Sequence, residues 1–267
     1  MLKTRVLSGI ALVIILAGVL YEGGYFLWTL LLFASLVGLI EFYRAVHGVK
    51  IGQPFKMGAL EIAGVVTTFA YYLLMCISER KEYLFYILVI SLVFYMIIYV
   101  ISFPKHETAE CMQVYFGEIY VSVMLSFIYL LWKIGGIRYT VLIFISSWVC
   151  DTCAYFTGRA FGKHKLAPVL SPKKSIEGAV GGVLGACLIG GLYAYFISLP
   201  VIATALICAF TSIVSQYGDL FASAIKRNHD IKDYGSLIPG HGGILDRFDS
   251  VIITAPFIYI LCEVIIK

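Results

Sequence analysis

The sequence predicts an all-α fold, a polytopic transmembrane helix bundle with about nine spans. Hydrophobic residues make up 61% of the 267 residues and charged residues only 13%, whereas about 25% of a soluble domain is usually charged. The mean hydropathy is +0.93. Apolar runs recur along the chain at about the 20 residues that a helix needs to cross a bilayer. A soluble core cannot absorb this much apolar surface, so composition indicates a membrane protein.

Nine apolar segments are predicted to cross the membrane. The first follows Lys3 and Arg5, and we interpret it as an uncleaved span because no small-residue cleavage site follows it. The fifth carries Glu118, which makes it one of the weaker spans by composition. The nine segments are residues 6–20, 25–43, 59–77, 83–103, 112–132, 139–156, 178–199, 201–221 and 248–266.

The lysines and arginines predict how the spans are oriented. With the N-terminus inside, fifteen of the 20 basic residues fall on the cytoplasmic side and five on the outer side. Connections rich in Lys and Arg tend to stay in the cytoplasm, so the long polar connections 157–177 and 222–247 are expected there. The five outer residues are Arg80, Lys81, Lys133, Arg138 and Lys267.

The chain is predicted to form one integral membrane unit with two parts, residues 1–132 and 133–267. The first part is apolar, and the second carries nearly all the unusual chemistry, including the glycine-rich seventh span. Its pairs Gly178/Gly182 and Gly181/Gly185 have the G-x-x-x-G spacing that lets membrane helices approach closely. We interpret them as intramolecular packing sites, although the same pairs are compatible with a homodimer interface.

The most unusual stretch is residues 223–250, SAIKRNHDIKDYGSLIPGHGGILDRFDS. It carries four basic residues, four aspartates and two histidines, with the turn PGHGG at residues 239–243. A merely solvated loop would be looser and rich in Ser, Glu and Lys, whereas here opposite charges alternate with glycines that permit close backbone approach. Cations suit phosphate oxygens and carboxylates suit Mg²⁺, so the stretch predicts a polyphosphate site with a divalent metal.

Three aspartates stand out by position, one just before this stretch and two near its end. Asp219 is predicted in the last turn of the eighth span and Asp246 just before the ninth. Ionisable residues at membrane depth are costly and usually functional, so closing the loop could bring Asp219 and Asp246 together as a metal pair. Asp249 lies three residues after Asp246 on the same helical face, and it is either a further ligand or a partner of Arg247.

A second motif, SPKKSIEG, occupies residues 171–178 of the other long connection. Ser175 is predicted to cap the following helix, with Lys173 and Lys174 just before the positive helix end, so the three could form a phosphate cradle. The alternative is a basic patch attracted to anionic lipid. Upstream, Asp151 lies within an apolar span, where a carboxylate is also expected to be functional.

Residues 223–249 meet every position of one long pattern: S-x-apolar-K-R, four residues, K-D-x-small, two residues, apolar-P-x-H-G-G-apolar-x-D-R-apolar-D. This pattern resembles the signature of the phosphatidate cytidylyltransferase family, also called CDP-diacylglycerol synthase. Residues 151–165 and 171–178 also look like segments of that family. The resemblance covers about residues 147–250, and before them it rests on span count and apolar character.

The resemblance implies an enzyme that transfers the cytidylyl group of CTP to phosphatidic acid, giving CDP-diacylglycerol and pyrophosphate for phospholipid biosynthesis. It implies Mg²⁺, contact with membrane lipid, no nucleic-acid partner, and an active site on the cytoplasmic face of a bacterial-type cell membrane. The implied catalytic residues are Asp219, Asp246, Lys226, Arg227 and Arg247, and the implied metal ligands are Asp219, Asp246 and Asp249. The implied substrate-binding residues are Lys173, Lys174, Ser175, Lys232, Asp233, His241, Gly242, Gly243 and Asp151.

Two other functions are weighed against this one. A related membrane enzyme, such as a polyprenol kinase, would use CTP on another lipid, release CDP and transfer the γ-phosphate. A transporter would carry polar residues through the bilayer centre and often shows inverted repeats, whereas the charge of this chain concentrates at one face.

Overall fold

The computed structural model describes residues 2–80 and 82–266, and it confirms the predicted all-α fold. Within these residues the helices are α1 (Leu2–Glu22), α2 (Gly24–Val46), α3 (Ala59–Ile77), α4 (Glu82–Ser102), α5 (Thr108–Gly117), α6 (Met124–Phe144), α7 (Cys150–Phe161), α8 (Ile176–Phe196), α9 (Val201–Asn228) and α10 (Leu245–Leu261). Three π-helical segments, Glu118–Val123, Ile145–Val149 and Cys262–Ile266, continue α5, α6 and α10. The strands β1 (Lys165–Ala167) and β2 (Ser171–Ser175) pair antiparallel between α7 and α8.

In the described residues, seven helices are long and apolar enough to cross a membrane, rather than nine. The difference has two sources. The fifth and sixth predicted spans lie in one continuous helical stretch of 54 residues, Thr108–Phe161, which a positive φ of 60° at Gly136 interrupts. The first predicted span lies in α1, and the apolar helical segment counted there, Ser8–Glu22, is shorter than the seven spanning helices.

The chain forms two compact units. Unit one comprises Met1–Ser126 and His229–Asp246, and unit two comprises Phe127–Asn228 and Arg247–Lys267. The segment His229–Asp246 therefore groups with the N-terminal helices, although its place in the sequence put it in the C-terminal part. The predicted division at residues 132 and 133 follows chain order and stays a prediction.

Unit one is held together by hydroxyl pairs among its buried aromatic side chains. Tyr72 hydroxyl bonds with Ser35 Oγ at 2.7 Å, and Tyr71 hydroxyl bonds with Ser126 Oγ at 3.0 Å. Tyr95 hydroxyl donates to Glu118 Oε2 at 2.7 Å. Because water does not satisfy polar groups inside a bilayer, such internal pairs are required wherever these side chains are buried. They fix how α2, α3 and α4 pack in this unit.

Unit two is built on close contact between α7 and α8. A Cβ added to Gly178 would lie 2.8 Å from the carbonyl oxygen of Ala154, and one added to Gly182 would lie 2.9 Å from that of Cys150. The backbones of the two helices therefore touch where the G-x-x-x-G spacing occurs. This confirms the interpretation of the glycines as intramolecular packing sites, while the homodimer stays a prediction.

Gly182→Ala is expected to lower the melting temperature of the detergent-solubilised protein. The added methyl group meets the carbonyl oxygen and Sγ of Cys150, both at 2.9 Å, and Cβ of Ala154 at 3.0 Å. Overpacking of this kind typically costs about 1–3 kcal/mol. Gly191→Ala is the matched control on the same helix, because its new methyl would meet only the side chains of Ala205 at 3.3 Å and Val201 at 3.8 Å. Equal melting temperatures for the two variants would contradict the proposed backbone contact.

Candidate active site

The polar stretch of the sequence is a shorter loop than the span boundaries predicted. Helix α9 continues to Asn228, and α10 begins at Leu245. Lys226 and Arg227 are thus helical and lie in the last turn of α9, where positive charge complements the helix dipole. Asp219 lies well inside α9 rather than in the last turn of a span, and Asp246 lies in the first turn of α10 rather than before it.

Unit two contains a charged cavity of about 350 Å³. Two carboxylates line it, Asp151 of α7 and Asp219 of α9. Three cations line it as well, Arg159, Lys173 and Lys174. A cavity that combines both signs of charge can hold a polyphosphate together with a cation.

The β-hairpin and the start of α8 place the motif of residues 171–178 on this cavity. Ser175 caps α8 as predicted, because its Oγ accepts a hydrogen bond of 3.2 Å from the N–H of Gly178. Gly158 and Gly162 both pack against the Ser175 side chain, so α7 fits closely around the cap. Lys174, one residue before the cap, forms an ion pair with Asp219. The cavity thus gathers Asp151, Lys173, Lys174, Ser175 and Asp219 of the predicted set.

Asp249 of α10 belongs to the same group of charges. The charges of Asp219, Lys226 and Asp151 all act on its carboxylate. The contact between α9 and α10 explains this proximity, since a Cβ at Gly218 would lie only 3.1 Å from the carbonyl oxygen of Asp249. The sequence left two roles open for Asp249, a metal ligand or a partner of Arg247. In the structure, the carboxylates that act on it are Asp151 of α7 and Asp219 of α9.

Two predicted cations complete this charge group. Lys226 is only 9% exposed, although it lies in the last turn of α9. Arg247 acts electrostatically on Asp151, and its Nε is buried without a hydrogen-bond partner among the described residues. Cations that are held away from bulk water interact strongly with anions that approach them. Arg227, by contrast, is exposed in the last turn of α9.

Asp246 organises the loop of unit one. Its Oδ2 accepts three backbone hydrogen bonds, from the N–H groups of Tyr234 at 2.8 Å, Gly235 at 3.3 Å and Gly243 at 3.0 Å. Gly242, at a φ of 88°, lets the chain turn directly above this carboxylate. These bonds give Asp246 a part in shaping the loop, which the sequence did not indicate. Its predicted role as a metal ligand beside Asp219 stays a prediction.

Helix α2 provides two further supports for the loop, which sequence reasoning missed. Glu41 accepts hydrogen bonds from the N–H groups of Ile244 at 3.2 Å and Leu245 at 2.9 Å. Arg44 donates to the carbonyl oxygen of Tyr234. By position alone, Glu41 and Arg44 read as a surface ion pair at the end of a span. The sequence did offer one sign that Glu41 is functional: it is a carboxylate inside an apolar helix, and such groups are usually functional.

Helix α1 supports the histidine of the PGHGG turn. Ser8 Oγ donates to the carbonyl oxygen of Pro239 at 3.0 Å and lies 2.9 Å from Nδ1 of His241. A hydroxyl has a single hydrogen to donate, so while Ser8 donates to Pro239 it can only accept from His241, and this arrangement corresponds to the tautomer with the proton on Nδ1. Gly9 makes room for the ring, since a Cβ there would lie 3.4 Å from its Cε1. The fixed ring orientation supports the prediction that His241 is a binding residue but does not test it.

Lys232 and Asp233, predicted to bind substrate, line a second cavity, of about 300 Å³, within unit one. Both side chains are exposed, and Arg44 and Lys50 line the same cavity. Gly243 is buried in the loop. The predicted residues thus divide into two sets, the charged cavity of unit two and the loop of unit one.

The carboxylates of unit two have the oxygen chemistry that Mg²⁺ prefers. Within residues 2–80 and 82–266, no three His, Cys, Asp or Glu side chains converge closely enough to hold a metal ion by themselves. The predicted Mg²⁺ cofactor therefore stays a prediction. Asp219 and Asp249 are both predicted metal ligands, and their charges act on each other, as do those of Asp151 and each of them.

Comparison with known proteins adds a finding that covers nearly the whole chain. The model of a family described as the cytidylyltransferase family matches residues 3–265. The chain belongs to this family. The match includes the N-terminal helices, for which the sequence pattern offered only span count and apolar character. The supports from α1 and α2 therefore lie inside the region that the cytidylyltransferase family shares.

Curated relatives in the family are similar along almost their whole length. A phosphatidate cytidylyltransferase of Staphylococcus haemolyticus is 32% identical over 269 residues, covering 97% of this chain and 98% of the relative. The protein of that name from Thermotoga maritima is 30% identical over 282 residues, covering 99% and 97%. One from Bacillus subtilis is 44% identical over 128 residues, which cover 47% of this chain and 48% of the relative.

Proposed function

We propose that this protein transfers the cytidylyl group of CTP to phosphatidic acid, forming CDP-diacylglycerol and pyrophosphate for phospholipid biosynthesis. The observation that carries the proposal is the charged cavity of unit two, formed by membrane helices and lined by Asp151, Asp219, Lys173 and Lys174. The full-length relatives named phosphatidate cytidylyltransferase support the choice of substrates. A soluble nucleotide and a membrane lipid both need access to such a cavity.

The reaction joins two anions, and this determines what the side chains must do. A phosphate oxygen of phosphatidic acid attacks the α-phosphorus of CTP, and the bond to the β-phosphate breaks as pyrophosphate leaves. The attacking oxygen is already anionic, so no strong general base is required. The main barrier is charge repulsion, which is lowered by holding the reactants in line among positive charges.

The cations of unit two suit that task. Lys173 and Lys174 lie just before the capped N-terminus of α8, where backbone N–H groups also favour an anion. We assign them and Ser175 to a substrate phosphate. Lys226, which is buried, and Arg247, whose Nε is buried, are assigned to the charge that develops on the transferring phosphate.

Mg²⁺ is proposed as the cofactor, held by Asp219 and Asp249 together with the phosphates of the nucleotide. When bound, it supplies positive charge to the α-phosphate and to the leaving pyrophosphate. Asp219 already holds one cation, since it pairs with Lys174. The same carboxylate that would hold the metal thus also fixes the position of Lys174, which is assigned to a phosphate.

We further propose that the site faces the cytoplasm of the cell membrane. The support is the distribution of lysine and arginine, fifteen of 20 on one predicted side. Phosphatidic acid would present its phosphate from the headgroup layer, while CTP enters from water. A single cysteine at Asp230, which is exposed, in a cysteine-free background should react with an impermeant thiol reagent in inside-out vesicles but not in right-side-out vesicles.

The proposed function is tested by identifying the lipid product. Purified protein in mixed micelles with phosphatidic acid, CTP and Mg²⁺ should form CDP-diacylglycerol, detected by mass spectrometry, and an equal amount of pyrophosphate. A chelator should stop both. Formation of CDP and a newly phosphorylated lipid would identify a CTP-dependent kinase instead, and the absence of any lipid product would refute the proposal.

A further inference from the structure

Glu41 is a charged residue in a place that usually excludes charge. It lies near the C-terminal end of the apolar helix α2 and is only 6% exposed. Burying a carboxylate is costly unless hydrogen bonds compensate for the lost hydration. Both of its oxygens receive such bonds, Oε1 from the N–H of Ile244 and Oε2 from the N–H of Leu245.

The loop is shaped to receive this carboxylate. Gly235 and Gly243 both lie directly against it, and a Cβ at either position would clash with Glu41 Oε1. Glycine at these two signature positions is therefore explained by contact with Glu41. The family resemblance implied instead that Gly243 binds substrate, and that role stays a prediction.

Glu41 and Asp246 divide the backbone N–H groups of the loop between them. Asp246 takes those of Tyr234, Gly235 and Gly243, and Glu41 takes the two at the start of α10. The two carboxylates also act on each other electrostatically, and Arg44 acts on Glu41. The loop thus closes around two like charges that repel each other. Hydrogen bonds from the five N–H groups and the positive charge of Arg44 offset this repulsion.

We propose that Glu41 is a positioning residue for the transfer reaction, which fixes the first turn of α10 and the loop before it. The proposal rests on the proposed function, because it gives Glu41 a task in the same chemistry. Glu41 touches Ile244 and Leu245, and the next residues along α10 are Asp246 and Arg247, both predicted to be catalytic. Small displacements of reacting groups have large effects on rate, about 100-fold for 1 Å.

Glu41→Gln tests the proposal, because the new side chain has nearly the same shape as glutamate. The new amide nitrogen would face a backbone N–H group, so one hydrogen bond is lost and the charge disappears. We expect kcat to fall about 10- to 100-fold, while the KM for CTP changes less than about threefold, because a misplaced group affects the transition state more than substrate binding. Glu41→Asp, which keeps the charge but shortens the reach, should give an intermediate kcat.

Glu61→Gln is the matched control. Glu61 is also a buried carboxylate in unit one, 3% exposed, and it also caps a helix, accepting from the N–H of Gly58 at 2.8 Å and contacting His47 at 2.8 Å. It makes no contact with the loop among the bonds of the described residues. Its variant should lose a similar amount of thermal stability but keep kcat within about twofold, since no residue near the reaction moves.

Hydrogen exchange separates this proposal from the proposed function. In Glu41→Gln the amides of residues 243–245 should exchange faster than in the unmodified protein, and in Glu61→Gln they should not. If the unmodified protein makes no CDP-diacylglycerol, the proposed function fails, while the exchange rates still decide whether Glu41 holds the loop. Unchanged exchange in Glu41→Gln, or a kcat equal to that of Glu61→Gln, would overturn the positioning role.

Discussion

Asp219→Asn is expected to lower kcat by about 100- to 1,000-fold, the loss that follows removal of one strong electrostatic contact to a transition state. Asp219 lines the charged cavity, pairs with Lys174, and acts on both Asp151 and Asp249. The amide keeps the size of the side chain but cannot neutralise a cation. We therefore also expect the Mg²⁺ concentration for half-maximal rate to rise.

Glu79→Gln is the control for this measurement. It makes the same change of a carboxylate into an amide at an exposed residue that lines neither cavity, so kcat should stay within about twofold. Lys174→Met gives a second check. Because Lys174 and Asp219 form one ion pair, the double variant should lose less than the product of the two single effects. A fully multiplicative loss would mean that the two side chains act independently.

Asp246→Ala is expected to abolish measurable activity and to loosen the loop of unit one. Three N–H groups lose their shared acceptor, and each hydrogen bond to a charged group is worth about 1.5–3 kcal/mol. The loop between α9 and α10 should become sensitive to limited proteolysis in detergent. Intact protease resistance together with full turnover would contradict the role assigned to this carboxylate.

Asp246→Asn distinguishes two roles for this residue. If Asp246 only shapes the loop, the residual turnover of Asp246→Asn should show the Mg²⁺ dependence of the unmodified protein. If it binds metal, as the sequence predicted, half-maximal rate should need more Mg²⁺, as in Asp219→Asn. Comparing the two variants in one titration therefore decides between a metal pair and a structural carboxylate.

Much of the fold could be predicted from the sequence because apolar length is a strong signal. Nearly every predicted span lies in a helix of the structure, and the cap at Ser175 was predicted from its hydroxyl and the following apolar run. The predicted helix ends were less accurate: Asp219 was placed in the last turn of a span and Lys226 in a loop, whereas α9 continues to Asn228. Polar residues can continue a helix beyond the apolar run, and hydropathy does not detect that extension.

The supports of the loop could not be predicted, because they join residues far apart in the chain. Glu41 and Leu245 are 204 positions apart, and Ser8 and His241 are 233 apart. A single sequence does not show which distant residues contact each other, even where one of them, such as Glu41, is conspicuous by itself. The charged residues of the cavity were easier to predict, since a carboxylate such as Asp151 inside an apolar run is conspicuous on its own.

The central claim, cytidylyl transfer to phosphatidic acid, is tested most directly by following the phosphates of CTP. Purified protein in liposomes containing phosphatidic acid would receive Mg²⁺ and CTP labelled on either the α- or the γ-phosphate. Cytidylyl transfer should place the α-label in the lipid as CDP-diacylglycerol, while the γ-label remains in water as pyrophosphate. A γ-label in the lipid, or no label in the lipid from either CTP, would contradict it.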